Sequence, residues 1–175
     1  MEKAITDNAG QQQTLSINRE IRDGLNAAYR QLRELLTTFR LGFKETGLHT
    51  ALEDTVQEFQ KRSDIDIVLT DNTANCRFSA NAEIHLIHII REALSNILQH
   101  SRASEASVVL QCNQEGLATL LIEDNGMGIQ DISDKPHHYG LSIMKERSRS
   151  LNGNLEIGPS GSGGTVVKLT FSIQT

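Results

Sequence analysis

Three short segments carry residues whose types and spacing could do chemistry. In REALSNILQHS (Arg91 to Ser101), Glu92 and Asn96 stand one helical turn apart. Asn96 offers a neutral amide oxygen, a hard donor suited to Mg²⁺, which keeps most of its waters and takes few protein ligands. Glu92 on the same face could orient or deprotonate an attacking group near a metal-bound phosphate. In LIEDNGMGI (Leu121 to Ile129), Asp124 ends an apolar strand and runs into Asn125, Gly126, Met127 and Gly128. A fixed carboxylate there could accept a hydrogen bond from the exocyclic amine of adenine. Guanine presents a carbonyl at that edge, and the unmade bond would cost about 1–3 kcal/mol.

Glycines supply the rest of the pattern. Gly126 and Gly128 allow backbone to pass close to a base or ribose. In HHYGLSIMKERSRSLNG (His137 to Gly153), Gly140 precedes a helix, and a helix N-terminus with a glycine at its mouth suits an anion. GPSGSGGT is followed by a strand, so it is not a Rossmann fingerprint, and it lacks the Gly-Lys-Ser/Thr ending of a Walker A loop. Each segment also has a plainer reading: a β-turn rich in Asp, Asn and Gly, a glycine before a helix, or the solvated face of an amphipathic helix. His85 and His88 invite comparison with zinc ligands, but no further His or Cys stands nearby to complete a site.

The elements that must position these residues follow from hydrophobic periodicity. Residues 1–13 read as a frayed start. Ile21, Leu25, Ala28, Leu32, Leu35 and Phe39 make a heptad seam on one helix from about Thr14 to Phe43. That stripe fits a partner helix or docking on the chain's own domain. Lys44 to Leu48 reads as a linker, and a helix is expected over about His49 to Lys61. Ile65, Ile67 and Leu69 alternate as a strand.

Asn81 is the expected N-cap of a helix running to about His100. That helix has an apolar stripe (Leu86, Ile89, Ile90, Ala93, Leu94, Ile97) and a polar one (His85, His88, Glu92, Asn96, Gln99). Strands are expected over Ala106–Cys112, Leu117–Asp124, Leu155–Ile157 and Val166–Ile173, with a helix over Leu141–Leu151. Strands in adjacent pairs predict an α+β fold, a two-layer sandwich with helices on one face of a mixed sheet, behind the long N-terminal helix.

Bulk properties bound the partners. The 175 residues carry a net charge of −5, with 38% hydrophobic and 4% aromatic content and no Trp, so the core must be aliphatic. The charge argues against nucleic acid or an anionic membrane surface. No apolar run approaches about 18–20 residues, and no signal peptide is evident. Cys76 and Cys112 form no CxxC pattern and read as separate reduced side chains in a cytosolic setting.

The three segments together, in this order, resemble the N, G1 and G2 boxes of the Bergerat-type ATPases, the superfamily of histidine kinases, DNA gyrase, Hsp90 and mismatch-repair ATPases. The resemblance covers about Leu48 to Thr175. REALSNILQHS with HYGLSIMKERSRSLNG is similar to sensor histidine kinases with the third type of dimerisation and phosphoacceptor domain. AYRQLRELLTTFRLGF (Ala28 to Phe43) most resembles the nitrate/nitrite sensor kinases, where it is the second helix of the dimerisation hairpin.

The resemblance implies that Asn96 ligates Mg²⁺ and that Glu92 is the base that helps activate the phosphoacceptor. It implies that Asp124 binds the adenine amine, with Gly126 and Gly128 shaping its pocket. Gly140 and Leu141 would contact phosphates by backbone. Thr165, after Gly163 and Gly164, would complete the adenine pocket, and Gln130 to Tyr139 would be the ATP lid. Residues 14–47 would be half a dimerisation hairpin plus linker and 48–175 the ATP-binding domain. The implied partners are ATP, the phosphoacceptor hairpin, a response regulator and a second copy through the N-terminal helix, at the cytoplasmic side of an inner-membrane sensor.

Two departures stand out. Gln99 replaces a phosphate-binding Lys, with His100 as its stand-in. None of the six histidines is followed by an acidic residue on a first hairpin helix, so the phosphoacceptor is expected outside this sequence. An anti-sigma-type serine kinase, another Bergerat-fold ATPase and a non-catalytic interaction module are the competing readings.

Overall fold

The computed structural model describes residues 47–128, 139–161 and 163–173, together with Gly24. The expected frayed start, the heptad seam and the lid through His138 lie outside the described residues. The chain divides between Lys44 and Glu45 into two units, and the second, Glu45–Thr175, holds the sheet and the helices packed on it.

Five strands form one sheet in the order β1-β2-β3-β5-β4. They are β1 (Asp66–Asn72), β2 (Glu105–Cys112), β3 (Leu117–Asp124), β4 (Asn154–Pro159) and β5 (Thr165–Ser172). β1 runs parallel to β2, and every other neighbouring pair is antiparallel. No hairpin can join a parallel pair, so the chain from β1 to β2 must cross over, and helix α2 (Ala80–Asn96) makes that crossing. Helix α1 (Gly47–Gln60) precedes β1, and helix α3 (Tyr139–Ser150) links β3 to β4.

Strand alternation sends one face of the sheet into the core. Val108, Ile122 and Val167 align across β2, β3 and β5, and Leu110, Leu120 and Leu169 form the next row. All six are buried, whereas Lys168 on the opposite face of β5 is exposed. Leu52, Val56 and Phe59 of α1, Leu86, Ile89, Ile90 and Leu94 of α2, and Met144 of α3 complete an aliphatic core. This is the α+β sandwich expected, with a mixed sheet. Arg91 fixes α1 to α2 by a two-pronged bond to Glu58 (2.8 and 3.1 Å), with its guanidinium 5.6 Å from the centroid of the Phe59 ring. Among the described residues, no helix is long and apolar enough to cross a membrane.

Four local expectations are corrected. The N-cap of α2 is Ser79 and not Asn81. Ser79 has an extended backbone, and its hydroxyl accepts the Ala82 N–H at 3.2 Å. The helix is not α-helical to His100: it changes to a π turn at Ile97–Ser101, closed by Arg102 in the left-handed region (φ 54°). His85, placed on the polar stripe, is buried, as is Ile87, which was placed on neither stripe. α2 lies against α1, α3 and the sheet together, so its buried arc is wider than one stripe. Cys76 and Cys112 are bridged in a disulfide, with their Cα atoms 6.7 Å apart. The parallel register pairs Asn72 with Gln111, which brings the loop after β1 beside the end of β2 despite 36 residues of separation.

His49 on α1 ties that helix to the end of β1. Its Nδ1 lies 2.8 Å from Asp71 Oδ2, and its Nε2 lies 3.4 Å from Glu53. The Asp71 hydrogen bond, with help from the Glu53 charge, raises the His49 pKa above its ordinary 6.5. A raised pKa means that the folded chain holds this proton more tightly than the unfolded one. The contribution is therefore complete below pH 6.5 and is lost as pH rises through the folded-state value. The melting temperatures of the native chain and His49→Gln should differ more at pH 5.5 than at pH 8.5. A gap independent of pH would remove the charge from this account.

Candidate functional site

Two clusters form at one end of the sheet, and glycines build both. The first surrounds Asp124. Ala118, Leu120, Ile122 and Asp124 are the buried alternate residues of β3, so the pleat that fills the core also turns the Asp124 carboxylate inward, where it is 3% exposed. The Gly126 N–H donates to Asp124 Oδ1 at 2.8 Å. A β-carbon at Gly164 would overlap the Asp124 carbonyl oxygen and lie 2.5 Å from Oδ1. Gly128 has φ +71°, and a β-carbon there would lie 3.2 Å from the Gly163 carbonyl oxygen. Asp124, Gly126, Gly128, Gly163 and Gly164 thus meet at one place, although about forty residues separate the two loops. Thr165, half-buried, starts β5 directly after them.

Asn125 anchors the loop from the side. Its Oδ1 accepts the N–H groups of Ser104 and Glu105, each at 3.0 Å, and its Nδ2 donates to Ser104 Oγ at 3.0 Å. The middle residue of Asp-Asn-Gly is therefore a strut between β3 and the start of β2. In the sequence it reads only as a turn former.

The second cluster lies where α3 begins. Glu92 and Asn96, half-buried on α2, face Gly140. A β-carbon at Gly140 would overlap Glu92 Oε1, sit 3.0 Å from its carboxyl carbon and lie 3.4 Å from Asn96 Nδ2. With glycine here the first turn of α3 lies against the carboxylate without displacing it, and Leu141 follows on that turn. The residues fit Mg²⁺ in one respect: the Asn96 amide is a hard donor of the kind that ion takes when it keeps most of its waters or phosphate oxygens, and Glu92 stands one turn away on the same face.

Gln99 and His100 are exposed on the π turn. Gln99 donates from Nε2 to Ser95 Oγ at 3.0 Å, along its own helix and not toward either cluster. Two residues to which the sequence reading gave no role of their own join the site. Gly164 packs on Asp124, and Ser101 links the clusters: its carbonyl accepts the Met127 N–H at 2.8 Å. The glycine run could have flagged Gly164. Ser101 has no signal beyond its place at the end of REALSNILQHS.

The arrangement offers a buried carboxylate among glycine backbone and a second cluster, an acid and an amide, against the start of a helix. Comparisons with known proteins bear on what it serves. The family described as histidine kinase-, DNA gyrase B-, and HSP90-like ATPase matches residues 81–175. The nitrate/nitrite sensor protein NarQ of Escherichia coli (strain K12) is 39% identical over 165 residues, 94% of this chain and 29% of NarQ. NarX of the same strain is 41% identical over 152 residues, 87% of this chain and 25% of NarX. The chain thus spans less than a third of the length of these relatives. A blue-light activated histidine kinase of Erythrobacter litoralis EL346 shares the fold at TM-score 0.70 and 20% identity, over 86% of this chain and 50% of that one. The mycobacterial sensor histidine kinase MprB does so at TM-score 0.57 and 19% identity, over 71% and 93%.

The close approach at Gly126 can be tested without any ligand. A β-carbon there would overlap the Ser101 carbonyl oxygen and lie 2.7 Å from Ser101 Cβ. Gly126→Ala should lower unfolding stability by about 1–3 kcal/mol, the usual range for overpacking. Gly161→Ala, whose β-carbon would meet nothing within 4 Å, should stay within about 0.5 kcal/mol of the parent in urea titrations. Equal costs at the two positions would show that the packing around Gly126 is not tight.

Proposed function

Because the chain belongs to the family of histidine kinase-, DNA gyrase B- and HSP90-like ATPases, we propose that it is the ATP-binding catalytic domain of a two-component sensor histidine kinase. The observation that carries this reading is the convergence of Glu92, Asn96 and Gly140 beside the glycine-lined Asp124. The similarity to NarQ and NarX supports a place in nitrate/nitrite signalling.

In this reading Asp124 accepts the adenine amine. Its burial among backbone makes the missing bond costly for guanine, so the residue selects ATP over GTP. The Gly126 N–H holds the carboxylate in place. Gly128, Gly163 and Thr165 line the base side, and Gly140 and Leu141 offer backbone to the phosphates at the start of α3. Asn96 holds Mg²⁺, which when bound neutralises phosphate charge. Glu92 would accept the proton from one ring nitrogen of the acceptor imidazole while the other nitrogen attacks the γ-phosphorus, the bond from that phosphorus to the β–γ bridging oxygen breaks, and ADP leaves. His100 stands at the phosphate end in place of the family Lys.

In this reading the acceptor histidine is carried by a dimerisation hairpin of the same kinase. The phosphoryl group then passes to a response regulator on the cytoplasmic side of the membrane.

Binding and transfer test this together. The native chain should bind ATP in preference to GTP and more tightly with Mg²⁺. Asp124→Asn presents an N–H that guanine's carbonyl can accept, and it should reduce the ATP preference by about tenfold or more. Asn96→Ala should remove most of the Mg²⁺ dependence. With Mg-ATP and a separate hairpin fragment carrying the acceptor histidine, the chain should give an acid-labile phosphohistidine, and Glu92→Gln should slow its formation. An acid-stable product would point to a serine kinase. No transfer despite ATP binding would overturn the kinase assignment.

A further inference from the structure

Ser101 stands between the two clusters and is assigned to neither. It is the last residue of the π turn that continues α2, and it is buried despite its hydroxyl. That hydroxyl donates to the Ile97 carbonyl at 2.7 Å and accepts the Ala103 N–H at 3.0 Å, so one side chain closes the turn on one side and starts the chain reversal on the other. Arg102, between Ser101 and Ala103, takes φ 54°, a conformation that an L residue holds only when its neighbours fix it.

The backbone of the same residue supports the adenine-side loop. The Ser101 carbonyl accepts the Met127 N–H at 2.8 Å. Gly126 lies so close to Ser101 that no side chain fits between them, and the Gly126 N–H in turn holds Asp124 Oδ1. An unbroken series of contacts therefore runs from Asn96 through the π turn to Ser101, on to Gly126 and Met127, and into the Asp124 carboxylate. Ser101 closes the π turn, and from that position its carbonyl meets the loop.

We propose that Ser101 is a positioning residue for nucleotide selection: its hydroxyl fixes the backbone that aims Asp124, and it sets the distance between the base-reading carboxylate and the Glu92–Asn96 face. The inference rests on the ATP site proposed above. Without the hydroxyl, the Ala103 N–H and Ile97 carbonyl lose their bonds, the reversal relaxes, and the Gly126 contact no longer holds Oδ1 at one place. The penalty then falls on the ligand that uses the carboxylate. ATP binding weakens while GTP binding, which gains nothing from Asp124, changes little.

The test measures ATP and GTP affinities on the intact chain for the parent, Ser101→Ala, Ser101→Thr and Asp124→Asn, beside circular dichroism and unliganded melting temperatures. Ser101→Ala should lower the ATP-to-GTP preference about fivefold to tenfold, the loss of one to two ordinary hydrogen bonds. Ser101→Thr, which keeps the hydroxyl, should restore it. A role confined to fold stability would lower both affinities alike and leave the ratio at the parent value, which would overturn the proposal. Should Ser101→Ala fail to fold, the near-isosteric Ser101→Cys gives the same comparison. Asp124→Asn separates the two readings. A ratio unchanged in that variant sinks the adenine site itself. A ratio that collapses there but survives in Ser101→Ala sinks only the positioning role.

Discussion

Strand parity is the constraint on which the rest of this domain depends. Side chains on β3 alternate, and the set that fills the core is Ala118, Leu120, Ile122 and Asp124. A charged group therefore occupies the last inward-facing position of a central strand. A carboxylate cannot stay there without polar partners, and the chain supplies them from backbone. β3 ends at Asp124, the next turn returns an N–H from Gly126, and the strand that starts at Thr165 brings Gly164 against the same carboxylate. Moving β3 by one residue would point Asp124 to solvent and Leu121 into the core in place of Leu120, so the aliphatic packing and the polar site are held by one register.

Helix α2 is fixed by the same sheet. Leu86, Ile89, Ile90 and Leu94 are wholly buried, each stabilising the fold by roughly 1.5–3 kcal/mol relative to exposure. Turning the helix to bring Glu92 inward would expose part of that stripe and bury an acid, so both terms oppose rotation. Glu92 and Asn96 are left on the flank that faces α3. There the chain has glycine at position 140, and the helix start can lie directly on the carboxylate. This half of the candidate site thus costs the core little, because Glu92 and Asn96 use positions that the core leaves over.

These constraints explain what the sequence revealed and what it withheld. Period-two and period-3.6 patterns are set by burial, so the strands, the helices and the apolar stripe of α2 were legible. Asp124, Gly126, Gly140 and the Glu92–Asn96 pair stood out by type and spacing, and the structure brings them into two clusters. Features that arise only from contacts between distant segments were not legible. Ser79 outcompetes Asn81 as cap because the incoming loop gives it the extended backbone. His85 looks polar in the sequence but faces a helix pressed from three sides. The pairing of Cys76 with Cys112 needs the parallel β1–β2 register. Asn125 reads as a turn former until its three bonds to the start of β2 are seen. The π turn has no periodic signature at all, since it differs from an α-helical turn by one residue.

The departure at Gln99 now has a physical setting. A neutral amide turned back to Ser95 brings no positive charge to the phosphate end. In the proposed site the charge of a triphosphate must then be met by an ion on Asn96 and by the N–H groups at the start of α3. Those N–H groups help only if they come within bonding distance, and a side chain at position 140 would first have to displace the Glu92 carboxylate. One glycine therefore serves two needs: it lets a helix start approach an anion, and it leaves the carboxylate beside that anion undisplaced. With a neutral amide at position 99, the proposed site leaves more of the electrostatic burden to backbone, and backbone carries it best where no side chain stands in the way.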